Sequence, residues 1–249
     1  MVCDGVDEVR RAAREQLRLG ADQIKVMASG GAMSPADELS ATQYTLDELR
    51  AAVEVAASAR TYVMAHAYND GSVRNCLKSG VRSIEHGNLI DEETARLIAQ
   101  SGAYLVPTLV TYEALSEEGG SYGVPEVVIR KINEARELGI RALRFAYEAG
   151  AKIASGSDLL GPLQERKARE LEIKTEVMSP MESLVSATKT NAELFGMEDE
   201  IGTVEEGKLA DLLVVDGDPL ENIAVLQKPD NLKLIMKGGR AVKNELQGS

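Results

Sequence analysis

Gln23-Ile24-Lys25-Val26-Met27-Ala28-Ser29-Gly30-Gly31 is an apolar run of strand length that carries one charged residue and stops at a Ser-Gly-Gly turn. Burying an unpaired ammonium is expensive. Taken alone, Lys25 reads as a side chain that snorkels to the surface. The alternative is a lysine at a chemical site, as an amine nucleophile or a modified metal ligand. The other strands decide between these readings.

Working outward, one phrase repeats. Helical segments end at Gly20, Gly80, Gly102 and Gly150, each followed within a few residues by a strand-like run: Ile24–Met27, Ser83–Glu85, Tyr104–Leu109 and Lys152–Ala154. Glycine just past a helix supplies its left-handed cap. A helix, a capping glycine and a short buried strand, repeated, is the pattern of a parallel α/β sheet. Thr45-Leu46-Asp47-Glu48 is a capping box ahead of the apolar face Leu46, Leu49, Val53 and Ala56. Asp91 caps a helix through Gln100, and Pro125 to Ala149 holds a long helix or a broken pair. A second capping box, Ser179-Pro180-Met181-Glu182, opens a helix to about Phe195. Five strands are expected, around Ile24, Val63, Ile84, Leu105 and Ile153. That number fits an open doubly wound sheet or part of an eight-stranded barrel. No glycine-rich phosphate loop follows the first strand, which weakens a nucleotide-binding reading.

The character changes after residue 200. Asp211–Val215 reads as a strand, and Leu232–Met236 alternates before the hairpin turn Lys237-Gly238-Gly239-Arg240. Residues 1–200 are therefore read as the α/β domain and 201–249 as strands of a small all-β appendage.

The 249 residues carry a net charge of −12 and an apolar fraction of 44%. The charge is dispersed, with no basic cluster to neutralise phosphates, so nucleic acid is not an expected partner. No run approaches the roughly 18 apolar residues of a membrane span. The N-terminal residues lack the pattern of a signal peptide. Two cysteines, Cys3 and Cys76, give neither a disulfide framework nor metal-site spacing. The expected setting is soluble and cytoplasmic.

The strand ends supply the chemistry. Thr61–Ala65 runs into His66-Ala67-Tyr68, Ser83-Ile84-Glu85 into His86-Gly87, and Lys152–Ser157 into Asp158. His66 and His86 are the chain's 2 histidines. Active sites of parallel α/β folds gather at the C-terminal ends of strands. Each residue has a plain structural reading, but lysine, two histidines and aspartate at four strand ends are poorly explained as separate accidents. Two neutral imidazoles with a carboxylate suit a zinc-type metal.

The stretches Ile24–Gly31, Ala65-His66-Ala67-Tyr68, Ile84-Glu85-His86-Gly87, Gly156-Ser157-Asp158 and Gly202–Leu212 together resemble the amidohydrolase superfamily. These are metal-dependent hydrolases on a (β/α)8 barrel, and the branch with imidazolonepropionase and the Xaa-Pro dipeptidases is the nearest in character. The resemblance implies roles. Lys25 would be the strand-four lysine, carboxylated by carbon dioxide to a carbamate bridging two metals. His66 and His86, on strands five and six, would bind the second metal. Asp158, on strand eight, would bind the first metal and act as general base toward a metal-activated hydroxide. Tyr68 would contact a substrate carboxylate or the tetrahedral intermediate.

The family pattern also asks for His-x-His on strand one, and the chain has no third histidine. It matches strands four to eight of the barrel plus C-terminal strands of a β-sandwich. Such a piece leaves open sheet edges. It is expected to associate with itself or with a complementing N-terminal segment, and to hold at most one zinc or similar divalent ion of the two in a complete site. With so few ligands, Lys25 is expected as a free amine in this chain alone. The implied activity is hydrolysis of amide bonds in small peptides or N-acyl amino acids. The alternatives are a fragment inactive by itself and a Schiff-base lyase using Lys25. Arg166 and Arg169 could meet a substrate carboxylate but read better as a solvated helix face.

Overall fold

The computed structural model describes residues 1–246. The chain divides into two compact units, Met1–Pro107 with Leu115–Ile153, and Thr108–Ala114 with Ala154–Ser249.

The elements of the first unit alternate: α1 (Val6–Arg18), β1 (Ile24–Met27), α2 (Leu46–Ser58), β2 (Val63–Asn69), α3 (Asp70–Ser79), β3 (Ser83–Leu89), α4 (Glu92–Ser101) and β4 (Tyr104–Val106). After α5 (Leu109–Glu118), the long α6 (Glu126–Glu148) leads to β5 (Lys152–Ile153). The sheet order is β1-β2-β3-β4-β5, every neighbouring pair parallel. The five expected strands all form.

Side-chain alternation sorts this sheet into two faces. The row Val26–Ala65–Ile84–Leu105–Ile153 is apolar and buried throughout. Val26, Ala65, Ile84 and Leu105 of this row pack in one core with Val9 and Ala13 of α1, Leu49 and Ala52 of α2, Val73 and Cys76 of α3, Ile98 of α4 and Ala142 of α6. Burial of each large aliphatic chain there contributes about 1.5–3 kcal/mol. The opposite face reads Lys25–Met64–Ser83–Tyr104–Lys152, and one step on Met27–His66–Glu85–Val106.

Local signals explain the boundaries. Thr45 and Glu48 make the expected capping box, Asp91 accepts from the Thr94 amide, and Gly80 and Gly102 cap α3 and α4 at φ 88° and 73°. β4 stops three residues short of the expected Leu109, because Pro107 cannot donate to a ladder. α6 is unbroken, settling the choice left open by the sequence.

In the second unit, α7 (Arg169–Lys174), α8 (Pro180–Ala187) and α9 (Lys189–Phe195) precede an antiparallel sheet β6-β7-β8 of Leu212–Val215, Leu232–Lys237 and Arg240–Asn244. The single helix expected from Ser179 to Phe195 is divided at Thr188, at φ −119° and ψ −88°. The Thr188 hydroxyl donates to the Leu184 carbonyl at 2.8 Å, a side-chain bond of the kind that bends or ends helices. The β7–β8 turn has Gly238 and Gly239 at φ 55° and 78°, as a two-residue hairpin requires.

Candidate functional site

His66 stands on β2 in the row shared with Met27 and Glu85, and it is 6% exposed. His86 follows Glu85, so strict alternation would turn it to the helix side. Instead His86 has φ 79° and Gly87 φ 65°. Two successive left-handed residues swing the strand end round, and the His86 ring lies 4.5 Å from the His66 ring at an interplanar angle of 72°. A non-glycine residue held there costs on the order of 1–3 kcal/mol and clusters at functional sites. Gly87 is required next to it: a Cβ would lie 2.8 Å from Leu105 Cδ1. The β2–β3 register shifts between Ala67 and Asn69, at Tyr68. The Tyr68 ring stacks on His86 at 5.1 Å and meets His66 edge-on at 4.9 Å.

Burial pushes the His66 pKa down to about 4; the Gly30 carbonyl opposes this and the Lys25 ammonium adds to it. His86 is driven well below the usual histidine range by burial, then by His66 and Lys25. Both rings are thus neutral at pH 7, the form with a lone pair to give. His66 Nε2 lies 3.2 Å from the Gly30 carbonyl. A carbonyl only accepts, so Nε2 bears the proton and Nδ1 keeps the lone pair. Lys25 is exposed on the same sheet face, one row below His66. Its ammonium lowers the pKa of both imidazoles.

Backbone and hydroxyl groups fix this corner. The Ser29 hydroxyl accepts from the Tyr68 amide at 3.0 Å and donates to the Gly30 carbonyl at 3.1 Å. Gly30 has no room for a side chain, since a Cβ would sit 2.1 Å from the Glu38 carbonyl oxygen. Glu85, 7% exposed, accepts from the Ser83 hydroxyl at 2.6 Å. Two neutral imidazoles are the donor chemistry of a zinc-type cation. Among the described residues no group of three His, Cys, Asp or Glu side chains could hold a metal ion.

Lys25, His66, Tyr68 and His86 therefore all belong to the first unit, whereas Asp158 belongs to the second. Asp158 is exposed, has φ 49°, and its carbonyl accepts from the Thr111 hydroxyl at 3.2 Å. Arg166 and Arg169 are not a solvated face. Both bind Glu113, Arg166 at 3.0 Å and Arg169 through two bonds of 3.0 and 3.2 Å.

With this geometry in hand, comparison with known proteins finds that the Amidohydrolase family model matches residues 1–242. The chain belongs to the amidohydrolase family. An ochratoxinase of Aspergillus niger is 35% identical over 97% of this chain and 50% of its own length. A solved amidohydrolase structure superposes with a TM-score of 0.96 at 50% identity, covering 99% of this chain and 60% of that one. A prolidase complexed with N-methylphosphonate-L-proline gives 0.95 at 44% identity, covering 98% and 60%. The chain spans about half the length of the ochratoxinase.

The five parallel strands are thus part of an amidohydrolase barrel, and the family acts as hydrolases on C–N bonds. The buried residue beside this turn that the motifs alone did not yield is Lys131. For Lys131 a signal exists. It falls on the apolar stripe Val128, Lys131, Ile132 and Ala135 of α6, all buried, where a lysine is out of place.

Proposed function

We propose that this chain carries one half of a metal-dependent amide hydrolase site. The observation that carries the reading is the pair of neutral imidazoles, His66 and His86, brought together on the adjacent strands β2 and β3. Lys25, carboxylated by carbon dioxide, would join them as the third ligand to zinc or another divalent cation. Such a cation supplies Lewis acidity toward the scissile carbonyl and lowers the pKa of water. Asp158 is assigned to the first metal of a complete two-metal site and as general base, taking the proton of the attacking water and passing it to the leaving amine. Tyr68 is assigned to the substrate carboxylate or the tetrahedral intermediate.

The substrate class is small peptides or N-acyl amino acids, which the ochratoxinase and prolidase likenesses support. Residues 201–249 form the appended β part in this reading. A cytoplasmic setting accompanies it; among the described residues no helix is long and apolar enough to cross a membrane.

A second reading is that the chain is inactive until a complementing segment or a second copy joins it. The single-sided pairing of β1 and β5 among the described residues, with Met27 44% exposed, favours it. One experiment addresses both readings. Metal content and hydrolysis of dipeptides and N-acyl amino acids are measured with zinc and bicarbonate, with and without an N-terminal amidohydrolase segment bearing His-x-His. At most one metal in the chain alone, and turnover only with the segment, is expected. Two tightly held metals with full turnover in the chain alone would overturn the second reading, and no metal under any condition the first.

A further inference from the structure

Lys131 is 2% exposed, yet its position on α6 would suit a leucine. Its ammonium donates to three main-chain carbonyls of one segment: Gly31 at 3.1 Å, Asp37 at 2.6 Å, and Ser34. Three protons find three acceptors, so the cation is fully satisfied by neutral oxygens. An apolar side chain would leave those three partly buried carbonyls without this donor. The segment is the excursion that leaves β1 and returns through the Gly30 amide to the Ala41 carbonyl at 3.1 Å and the bridge between Ser29 and Thr42. Asn69, at the end of β2, holds its far side through the Leu39 carbonyl at 2.9 Å. Gly30 and Gly31, at its start, face His66: the Gly30 carbonyl takes the Nε2 proton, and a Cβ on Gly31 would come 4.0 Å from Nε2.

We propose that Lys131 is a positioning residue for the histidine pair: by gathering the carbonyls of Gly31, Ser34 and Asp37 it fixes the Gly30 carbonyl that sets the tautomer of His66. The bond to Gly30 leaves Nδ1 as the lone-pair nitrogen of His66. Lys131 thereby selects which ring nitrogen is offered to a cation without touching that cation. Groups that orient a ligand in this way change metal affinity by 10–100-fold when removed. The metal-binding consequence rests on the function proposed above; the tautomer control does not.

The test is NMR on the full-length chain labelled with nitrogen-15 and carbon-13, followed by cobalt(II) titration. In the wild type the Lys131 ammonium protons should be protected from exchange and show hydrogen-bond couplings to the Gly31, Ser34 and Asp37 carbonyl carbons. In Lys131→Met, the His66 ring should lose its single Nε2–H signature while the β2 and β3 amides stay protected. Its cobalt(II) affinity should fall about 10–100-fold. Lys131 protons that exchange as fast as those of a surface lysine would overturn the proposal, and they can be read even if the variant does not fold. An unchanged His66 tautomer in a folded Lys131→Met would overturn it equally. A wild type that shows the couplings but binds no cobalt would refute the proposed function and leave the tautomer control standing.

Discussion

The Gly30 carbonyl oxygen lies 3.2 Å from His66 Nε2, joining the turn after β1 to a ring midway along β2. This one bond determines that His66 presents Nδ1, and Gly30 is where the turn has least room. A Cβ there would meet the Glu38 carbonyl oxygen at 2.1 Å, which backbone cannot tolerate. Gly30→Ala should displace the turn and weaken divalent-metal affinity about 10–100-fold. Isothermal titration with zinc checks this, and wild-type affinity would refute it.

Gly87→Ala tests the other ring. The residue has φ 65° and a Cβ there would lie 2.8 Å from Leu105 Cδ1, so an added methyl is both strained and crowded. A loss of about 1–3 kcal/mol in urea unfolding is expected. The His86 ring should also lose its stacking on Tyr68, visible as a changed tyrosine ring shift.

The metal-free protein should lose stability in acid through His66. Its folded pKa of about 4 lies below the ordinary 6.5, so between those values the unfolded chain binds more protons. Stability is full above pH 6.5 and falls as pH drops toward 4, by on the order of 3 kcal/mol for this residue. His86 acts in the same direction. Urea midpoints in EDTA across this range should flatten in His66→Gln; an unchanged slope would contradict the assignment.

Lys25→Met separates the carbamate from the free amine. If Lys25 is carboxylated, zinc binding by the wild type should strengthen with added bicarbonate, and the variant should show no bicarbonate dependence. A bicarbonate effect that persists in Lys25→Met would remove Lys25 from the ligand set.

The helix-side face makes a plain stability prediction. Ile84 is fully buried in the core row. Ile84→Ala should cost about 2–5 kcal/mol in chemical denaturation.

Much of this was legible in the sequence, because period and caps act locally. The repeated strand-like runs and the capping glycines at 80 and 102 pointed to the parallel sheet, and Thr45 and Asp91 to helix starts that the structure reproduces. Lys25, His66, Tyr68 and His86 were read in the sequence as strand-end candidates, and the rings of His66, Tyr68 and His86 meet in the structure. The manner of their meeting was not, since alternation sends His86 to the helix face and only its left-handed backbone returns it. The break at Thr188 was missed for a similar reason, a side-chain bond winning over helix periodicity. Arg166 and Arg169 looked solvated because their partner, Glu113, is distant in sequence. Lys131 carried a readable mark, a charge on an apolar stripe, but its carbonyl partners lie almost a hundred residues away.

The most direct test of the account is metal stoichiometry by elemental analysis after zinc loading with bicarbonate, on the wild type, His66→Ala and His86→Ala. The account predicts at most one zinc per wild-type chain, lost in both variants while the fold, followed by circular dichroism, is kept. Zinc retained at wild-type stoichiometry in folded variants lacking either histidine would contradict it.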